Sequence, residues 1–558
     1  MKRSFALAAG LVIFASFGAS AQTTDQLVKG ATDTSNVLNY GMGYNLQRFS
    51  PLTQINKDNA KNLVPVWNYS YADDRSEESQ PLVYQGILYV TTHAATMAVD
   101  VKTGKQVWKT KVEYPPETPR IVCCGIINRG AAIYEGKIFR TTLDANVIAL
   151  DAKTGKEVWR QKAADIKEGY SMTVAPLVAD GVVLTGISGA EFGTRGFIDG
   201  WDPETGKHLW RTHTIPTPDE PGGDTWKGDT WKFGGGSTWI TGSYDPELNT
   251  VYWGIGNPGP FNAAVRPGDN LYTCAVLALE PKTGKIKWHY QFSPNNPFDY
   301  DSVAEMVLAD LNVEGKPTKV LMDANRNGFF YVLDRTNGKL LAANPYVKVN
   351  WASGVDLKTG RPIETDVTKD AREGKKVVVY PSILGGKNWE PMSFNPQTGL
   401  AYANTLAFGG HYKTEPATYK AGEWYLGMDL TDLWDWPQGD APRGHLKAID
   451  PMSGKTKWEV GSAIPRFSGV LSTAGGVVFS GQLTGEFEAF DANDGKKLWQ
   501  FQTGSGIEGQ PVTWQQDGVQ YVAVSSGYGG VYSLFSGDER LANVPAGGSL
   551  WVFAVKPQ

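Results

Sequence analysis

Cysteine and histidine are scarce in this sequence, which has three cysteines and six histidines among 558 residues. No two cysteines have Cys-x-x-Cys spacing, and the histidines show no spacing typical of a zinc site. The chain therefore carries no motif for covalently attached haem and none for structural zinc. It also has no glycine-rich fingerprint that follows a strand and opens a helix, which argues against a nicotinamide dinucleotide cofactor.

Long hydrophobic runs are absent after the first residues of the chain. Phe5 to Phe17 is an apolar run of 13 residues, which is too short to span a bilayer. Lys2-Arg3 precedes this run and Ala19-Ser20-Ala21 follows it, so the pattern predicts a signal peptide over residues 1–21, cleaved after Ala21. The alternative is an N-terminal membrane anchor. A cleaved signal predicts an exported chain without a membrane span, in which a disulfide can form.

An excess of positive charge is also lacking. The formal net charge is −5 at pH 7, and removal of Lys2 and Arg3 with the signal peptide makes the chain more negative. This balance argues against nucleic acid as a partner and is compatible with a basic protein partner.

Turn-forming and aromatic residues are abundant, with 64 Gly, 32 Pro, 19 Trp and 24 Tyr spread evenly along the chain. No low-complexity linker divides it, so residues 22–558 are predicted to form a single all-β domain. One phrase recurs: an apolar strand ends in an acidic residue, a Thr-Gly-Lys turn or a variant follows, and a Trp comes soon after. It occurs at Asp100 to Trp108, Asp151 to Trp159, Asp202 to Trp210, Glu280 to Trp288, Asp334 to Leu341, Asp450 to Trp458 and Asp491 to Trp499.

This phrase predicts a hairpin in which the acidic side chain bonds to nearby backbone amides and the glycine supplies a positive φ. With partial units at 64–67 and 394–399, the chain holds about eight repeats. Repeats of this length and composition favour an eight-bladed β-propeller in which a Trp docks each blade on the next. The last strand, 549–555, is expected to pair with N-terminal strands and so remove an open sheet edge.

Two of the three cysteines, Cys123 and Cys124, are adjacent. Neighbouring α-carbons lie about 3.8 Å apart across a trans peptide, whereas an ordinary disulfide spans roughly 4.4–6.8 Å. A bond between them would close a small ring that serves as a flat, stiff surface or as a redox pair. The alternative is two buried free thiols that act as small hydrophobic groups. Cys274 is predicted to be a buried free thiol.

The repeats and the cysteine pair together resemble the quinoprotein alcohol dehydrogenases, which are eight-bladed propellers that use pyrroloquinoline quinone (PQQ). The resemblance covers essentially all of residues 22–558. The Cys123-Cys124 segment is similar to the vicinal disulfide of that family, and Arg129 to the cofactor-binding arginine that follows it. The resemblance implies a Cys123–Cys124 disulfide on one face of PQQ and Arg129 on a PQQ carboxylate, for which arginine is well suited.

Other frames in the sequence match further cofactor contacts. Gly234 to Trp239 resembles the segment that supplies an aromatic ring on the opposite face of PQQ, which implies that role for Trp239 and a polar contact from Thr238. Arg326 matches the residue that holds the reactive quinone oxygen. The remaining matched positions are Glu78, Thr173, Ser188, Gly189, Ala190, Asn388 and Trp389. Taken singly, such residues are more typical of turns, strands and blade packing.

Three positions match a metal site that the family uses. The resemblance implies that Glu191 and Asn257 bind a cation and that Asp299 is the catalytic base. Oxygen ligands suit a hard cation such as Ca²⁺ and do not suit zinc. Asp301 adds a second carboxylate where calcium-dependent members have a small uncharged residue, and lanthanide-dependent members carry an aspartate there. A lanthanide is therefore favoured over Ca²⁺, unless Asp301 only caps the segment after it.

The resemblance implies that Asp299 takes the hydroxyl proton of a primary alcohol while a hydride passes to PQQ and an aldehyde forms. Phe261 stands where calcium methanol dehydrogenases have a bulkier Trp, so the pocket should admit ethanol and larger primary alcohols. Electrons would leave to a separate soluble cytochrome c in the periplasm, and a homodimer is possible. Two other hypotheses are a non-catalytic propeller scaffold of the cell envelope and a calcium-stabilised propeller hydrolase. Neither accounts for the cysteine pair.

Overall fold

The computed structural model describes residues 22–556. The predicted signal peptide and residues 557–558 lie outside this range. Helices in it are short: four are α-helical, at Thr24–Val28, Thr118–Ile121, Asp366–Arg372 and Val531–Phe535. The 3₁₀ turns are Gly30–Thr32, Tyr40–Met42, Ala60–Asn62, Ile166–Glu168, Ala190–Phe192, Gly223–Thr225, Thr230–Phe233, Ala263–Val265 and Glu539–Leu541. None of these described helices has the length and apolar character needed to cross a membrane.

The described chain is all-β, and most of its strands form sheets of four. We number the large sheets in chain order. Sheet 1 contains Leu82–Tyr84, Ile87–Thr91, Ala95–Asp100 and Gln106–Lys111. Sheet 2 contains Ala132–Tyr134, Lys137–Thr141, Asn146–Asp151 and Glu157–Lys162. Sheet 3 contains Leu177–Ala179, Val182–Gly186, Phe197–Trp201 and His208–His213. Sheet 4 contains Ser243–Asp245, Thr250–Gly254, Ala275–Leu279 and Ile286–Gln291.

The second half of the chain continues in the same way. Sheet 5 contains Val307–Val313, Lys316–Ala324, Phe329–Asp334 and Lys339–Pro345. Sheet 6 contains Ser393–Asn395, Leu400–Leu406, Gly444–Ile449 and Thr456–Ser462. Sheet 7 contains Phe49–Ser50, Leu471–Thr473, Val477–Gly481, Glu486–Asp491 and Lys497–Gln502. Sheet 8 contains Val512–Gln516, Val519–Ser526, Ser549–Val555 and Leu63–Ser70.

Smaller strands lie in the loops around sheets 5 and 6. Ala352–Val355 pairs with Pro362–Glu364, and Gly409–Tyr412 pairs with both Val377–Val379 and Trp434–Asp435. These pieces explain the long gaps between repeats in this part of the sequence.

N-terminal strands complete the two sheets formed by the end of the chain. Leu63–Ser70 is antiparallel to Ser549–Val555, with Leu63 opposite Val555. The predicted pairing of the last strand with an N-terminal strand is therefore confirmed. Phe49–Ser50 adds a parallel strand to Leu471–Thr473.

The repeated turn has the predicted structure. Asp100 Oδ1 accepts hydrogen bonds from the amides of Lys102 and Thr103, at 3.1 and 2.8 Å. Gly104 then adopts a φ of +66°, a conformation that glycine reaches without steric cost. The same acidic residue thus ends one strand and fixes the turn into the next.

The repeated tryptophans contact the turn of the following sheet. The indole N–H of Trp108 in sheet 1 donates to Ala152 O at 3.1 Å, and that of Trp159 in sheet 2 donates to Pro203 O at 3.1 Å. A Cβ atom on Gly155 would lie 2.5 Å from the Trp108 ring. Glycine in this turn therefore provides the space in which the ring packs.

The hydrophobic core lies between the sheets. Side chains such as Val147, Leu184 and Leu277, from sheets 2, 3 and 4, belong to one fully buried cluster. Burying a side chain of this size stabilises the fold by about 1.5–3 kcal/mol. Each large sheet thus contributes apolar side chains to packing with its neighbours.

Five of the candidate functional residues share one place in this architecture, just before the first strand of a sheet. Glu78 precedes sheet 1, Arg129 sheet 2, Thr173 sheet 3, Trp239 sheet 4 and Asp301 sheet 5. Because these strands are equivalent in successive sheets, segments distant in sequence are brought to one region.

Candidate active site

A cavity of about 950 Å³, a volume that includes its open mouth, lies where these segments meet. Fifteen of the residues singled out from the sequence line it: Glu78, Cys123, Cys124, Arg129, Thr173, Ser188, Gly189, Glu191, Trp239, Phe261, Asp299, Asp301, Arg326, Asn388 and Trp389.

Cys123 and Cys124 form the expected disulfide, and their α-carbons lie 3.8 Å apart. Both cysteines line the cavity. The segment that follows is anchored by Asn128, whose side chain accepts from Thr91 Oγ1 at 2.6 Å and donates to Thr141 O at 3.1 Å. The structure excludes the alternative of two free thiols, and Cys274 is the buried free cysteine.

Arg129 is buried at the floor of the cavity and is held by polar groups. Its Nη2 lies 2.8 Å from Glu78 Oε2, and its Nη1 donates to Thr173 Oγ1 at 2.6 Å. Its guanidinium carbon also lies 4.7 Å from the ring centroid of Trp239 and 5.2 Å from that of Trp389. The arginine therefore presents a positive charge between two aromatic rings, and its Nε has no hydrogen-bond partner among the described residues.

Arg326 supplies a second positive charge, close to the carboxylates. Its Nη1 donates to Asp301 Oδ2 at 2.7 Å and to Asp299 O at 3.0 Å, and it lies 3.6 Å from Asp299 Oδ2. Gly385, with φ +87°, packs against its side chain. Arg326 therefore faces both aspartates from one side of the cavity.

The turn that carries Asp299 is fixed by Asn296. Asn296 Oδ1 accepts hydrogen bonds from the amides of Phe298 and Tyr300, at 3.0 and 2.9 Å. Asp299 itself has a φ of +59°, which is uncommon for a residue with a side chain. Its Oδ1 is buried and has no hydrogen-bond partner among the described residues, so this oxygen is free to meet a ligand.

The carboxylates lie close enough to affect one another. Burial raises the pKa of Asp299 well above its usual range, and the charges of Asp301 and Glu191 raise it further, against the opposing effect of Arg326. Burial, together with Asp301, raises the pKa of Glu191 to about 7. Carboxyl groups in this situation gain most from a nearby cation, which restores their ionised form.

Asn257 lies behind these groups. Its backbone N–H donates to Asp301 Oδ1. Its side-chain Oδ1 is buried and has no hydrogen-bond partner in the described chain. Within residues 22–556, no three Asp, Glu, His or Cys side chains form a ready-made metal cluster. The side-chain oxygen of Asn257 is the further cation ligand that the sequence predicts beside the carboxylates.

Three of the predicted contacts do not line the cavity: Ala190, Thr238 and Asn257. The Thr238 hydroxyl donates to Phe197 O at 2.7 Å and accepts from the Ile187 amide at 2.7 Å. The Thr238 hydroxyl thus acts as both donor and acceptor toward the backbone, and these bonds join loops around sheet 3. Ala190 is fully buried at the start of a 3₁₀ turn.

The comparisons with known proteins agree with this geometry. Residues 38–353 and 362–522 match the family model described as "PQQ: Glucose/ethanol/alcohol dehydrogenase, beta-propeller domain". The chain belongs to this family.

Named members of the family match over nearly their whole length. The quinoprotein alcohol dehydrogenase PedH of Pseudomonas putida is 41% identical, with 97% of this chain and 94% of the relative covered. A quinoprotein ethanol dehydrogenase of Pseudomonas putida is 42% identical, with 98% and 95% covered. The structure of a europium-containing methanol dehydrogenase superposes with a TM-score of 0.90 at 36% identity, covering 95% of this chain and 100% of that one.

Membership of the quinoprotein family decides between the hypotheses for this chain. The protein is an oxidoreductase of the PQQ-dependent alcohol dehydrogenase type. The hypotheses of a non-catalytic scaffold and of a hydrolase are therefore set aside.

The quinoprotein cavity also has an apolar wall that sequence reasoning missed. Most of it comes from loops outside the large sheets: Ile127, Ile383, Leu384, Trp424, Leu426, Leu430, Leu433, Trp434, Val531 and Phe535. Phe261, which the sequence did single out, joins this wall because its backbone N–H donates to Leu426 O at 2.7 Å. No repeat or spacing marks these residues in the sequence, although Trp424 and Leu430 are large apolar side chains that remain exposed.

Proposed function

We propose that this protein oxidises small primary alcohols such as ethanol to aldehydes, using PQQ and one hard cation. The observation that carries the proposal is the single cavity that holds the Cys123–Cys124 disulfide, Arg129 and the Asp299–Asp301–Arg326 group. No one of these features requires a planar, anionic redox cofactor, but their combination fits one.

The residues of the cavity suit PQQ, which is flat and carries three carboxylates. The Cys123–Cys124 ring and Trp239 would hold its two faces, and Arg129 would meet a carboxylate. Other cavity-lining groups would fix its edges: Glu78, Thr173, Ser188, Gly189, Arg326, Asn388 and Trp389. Ala190 and Thr238, which do not line the cavity, would support this lining from behind. The unpartnered Trp389 Nε1 and Arg129 Nε are donors that a bound anion would satisfy.

The cation would be held by Glu191, Asn257, Asp299 and Asp301. The unpartnered Oδ1 of Asn257 supports this assignment, because buried oxygen atoms normally have a partner. Asp301 would then contact both the cation and Arg326, which donates a hydrogen bond to it in this structure. The additional carboxylate of Asp301 favours a trivalent lanthanide over Ca²⁺, and the structural similarity to a europium-containing enzyme supports that preference.

The chain's own groups would act as follows. When bound, PQQ supplies a quinone that accepts a hydride, and the cation acts on it as a Lewis acid. Asp299 Oδ1 would accept the hydroxyl proton of the alcohol, because this buried oxygen has no hydrogen-bond partner among the described residues. Arg326 holds the Asp299 backbone carbonyl and keeps the carboxylate oriented. The apolar wall excludes water from the reacting atoms.

The apolar wall also suggests the substrate class. Phe261 is buried and lies beside Leu426 and the other large side chains. An alcohol would place its hydroxyl toward Asp299 and its alkyl chain against this wall. We therefore expect ethanol and longer primary alcohols to be substrates, and we do not expect a preference for methanol alone.

The remaining parts of the proposal concern the whole chain. We propose a single eight-bladed propeller over residues 22–558 with tryptophan docking between blades, supported by the sheets of four and five strands and by the indole hydrogen bonds. Residues 1–21 would direct export to the periplasm. A separate soluble cytochrome c would accept the electrons. The enzyme would form a homodimer, which sedimentation of the purified protein tests.

The experiment that tests the function is a dye-linked assay of the purified protein. The protein is loaded with PQQ and with either Ca²⁺ or a light lanthanide, and ethanol-dependent reduction of the dye is measured. We expect activity with at least one metal and none without PQQ. Absence of alcohol-dependent reduction with both metals would contradict the proposal.

A further inference from the structure

Glu508 occupies, in sheet 8, the position that Glu78 occupies in sheet 1. Each lies four residues before the first strand of its sheet, Leu82–Tyr84 and Val512–Gln516 respectively. Glu508 is fully buried but does not line the cavity. It is therefore a second carboxyl group directly behind a cofactor contact, and the proposed reaction has not used it.

Ser76 lies between these two glutamates. Its hydroxyl donates to Glu508 Oε2, and Ser76 precedes Glu78 by two residues in the chain. The amide of Gly530 holds Glu508 from the other side, at 3.1 and 3.0 Å from its two oxygens. A side chain on Gly530 would collide with Glu508, because a Cβ there would lie 2.6 Å from Oε1. Ser76 and Gly530 thus hold Glu508 closely, next to the segment that brings Glu78 to the cavity.

Glu77 stands between Ser76 and Glu78 in the chain and lies toward the outer surface. It is 1% exposed, and neither of its carboxyl oxygens has a hydrogen-bond partner in the described part of the chain. A Cβ on Gly548 would lie 2.7 Å from Glu77 Oε1. Gly548 in turn lines a separate surface depression together with Asp73 and His93. Glu77 therefore sits beneath the floor of a depression that is open to solvent.

Few cations compensate these carboxyl groups. Arg129 pairs with Glu78, Lys109 donates to Tyr71 O at 2.7 Å, and Asp73 lies 3.2 Å from His93. Burial raises the pKa of Glu78 to about 7 and that of Glu508 to about 8, and it raises the pKa of Glu77 well above its usual range. Glu78 and Glu508 can therefore take up and release protons near neutral pH.

Alcohol oxidation requires such a route. Conversion of RCH₂OH to RCHO releases two electrons and two protons. The electrons leave to an external one-electron acceptor, whereas the protons must reach solvent from a buried site. Much of the remaining wall of the cavity is apolar or carries arginine, and neither kind of group can accept a proton.

We propose that Glu78, Ser76 and Glu508 form a proton-exit path from the cofactor cavity and that Glu77 continues it to the surface depression. The inference rests on the proposed alcohol oxidation. A proton on the Glu78 carboxyl group passes to Ser76 Oγ while the hydroxyl proton of Ser76 passes to Glu508 Oε2, so that Ser76 is unchanged. Glu508 then releases its proton through Glu77 and water to the solvent.

Two variants of Glu508 in the loaded enzyme test the path. In Glu508→Gln, the shape of the side chain is kept but proton transfer through it is blocked. We expect stopped-flow reduction of the bound cofactor by ethanol to be nearly unchanged and its reoxidation by dye to slow by about tenfold or more. Glu508→Asp should recover part of the rate. Formate or imidazole added to the buffer should accelerate reoxidation in Glu508→Gln but not in the parent enzyme.

The controls separate this path from a structural role. Glu488→Gln changes another buried glutamate, in sheet 7 and outside both cavities, and should leave reoxidation unchanged. Should Glu508→Gln fail to fold, Ser76→Ala removes the connecting hydroxyl and must show the same slow, rescuable reoxidation. Unaltered reoxidation in the variant, or a slow rate that no added weak acid restores, would overturn the path. An inactive parent enzyme would instead contradict the proposed function itself.

Discussion

Arg326 donates a hydrogen bond of 2.7 Å to Asp301, the aspartate two residues after the proposed catalytic base. The same guanidinium nitrogen lies 3.6 Å from Asp299 Oδ2. One arginine thus offsets part of the charge of two buried carboxylates. A cation bound beside them would take over this role, so Asp301 is the residue whose replacement should report the identity of the metal.

Asp301→Ala should abolish or strongly reduce lanthanide-dependent activity. The substitution removes one negative ligand, and a trivalent ion loses more from that than Ca²⁺ does. The measurement is dye-linked ethanol oxidation with each metal in turn. Asp310→Ala, at a largely exposed aspartate that pairs with Arg335, is the control. Lanthanide activity that survives Asp301→Ala unchanged would refute the assigned role.

Arg129→Lys should weaken PQQ binding by about 10- to 100-fold, because a charge-assisted hydrogen bond contributes roughly 1.5–3 kcal/mol and lysine lacks the planar fork. The affinity is measured by titrating the apoprotein with PQQ and recording the quenching of tryptophan fluorescence. Arg211→Lys is a matched control, because Arg211 also pairs with a buried aspartate, at 2.7 Å from Asp199, and stacks on an aromatic ring. Equal losses of PQQ affinity in both variants would show that the effect is not specific to the cavity.

Phe261 should set the preferred length of the alcohol. Phe261→Trp reduces the space beside Leu426, so kcat/KM for butanol should fall relative to that for ethanol. Phe261→Ala should have the opposite effect. One methylene contributes about 1–3 kcal/mol to discrimination, which corresponds to changes of roughly 10- to 200-fold. An unchanged ratio of butanol to ethanol in both variants would exclude Phe261 from the alcohol pocket.

The stability of the apoprotein should fall as the pH rises from about 5 to about 7. Burial raises the pKa of Glu390 to about 7, against the opposing charge of Lys387, whereas the unfolded group titrates near 4.3. Between these values the folded state binds more protons than the unfolded state, so the free energy of unfolding decreases with pH. Calorimetry at both pH values checks this.

Glu390→Gln should reduce the slope of that pH dependence, because glutamine stays neutral and can still accept from the Asn388 amide, as Glu390 Oε1 does at 3.0 Å. Glu459→Gln, at a largely solvent-accessible position near Lys447, should leave the slope as it is. A slope that is identical in Glu390→Gln and in the parent protein would contradict the raised pKa.

Much of the fold could be predicted from the sequence because its information is local. The bond from the Asp100 side chain to the amides of the turn depends on residues two and three positions away, and the repeat makes the pattern visible. The two adjacent cysteines likewise indicate an unusual disulfide ring from the sequence alone. The pairing of the final strand with Leu63–Ser70 followed from the need to remove an open edge.

Other features depend on tertiary structure that no local pattern specifies. Thr238 stands in the expected frame, but its hydroxyl bonds to the backbone at Ile187 and Phe197. Trp424 and Leu430 reach the cavity from a loop of irregular conformation. The sequence does not indicate a role for Glu508, because its contact with Ser76 joins residues 432 positions apart in the chain.

The most direct test of the account compares the parent enzyme with Asp299→Asn, both loaded with PQQ and the preferred metal. The substitution keeps the size of the side chain but removes a group that can accept a proton. Ethanol-dependent dye reduction should fall by about 10²–10⁴-fold, while PQQ remains bound and its absorbance is retained. Activity close to that of the parent enzyme, with the cofactor in place, would contradict the central claim that Asp299 is the base for alcohol oxidation in this cavity.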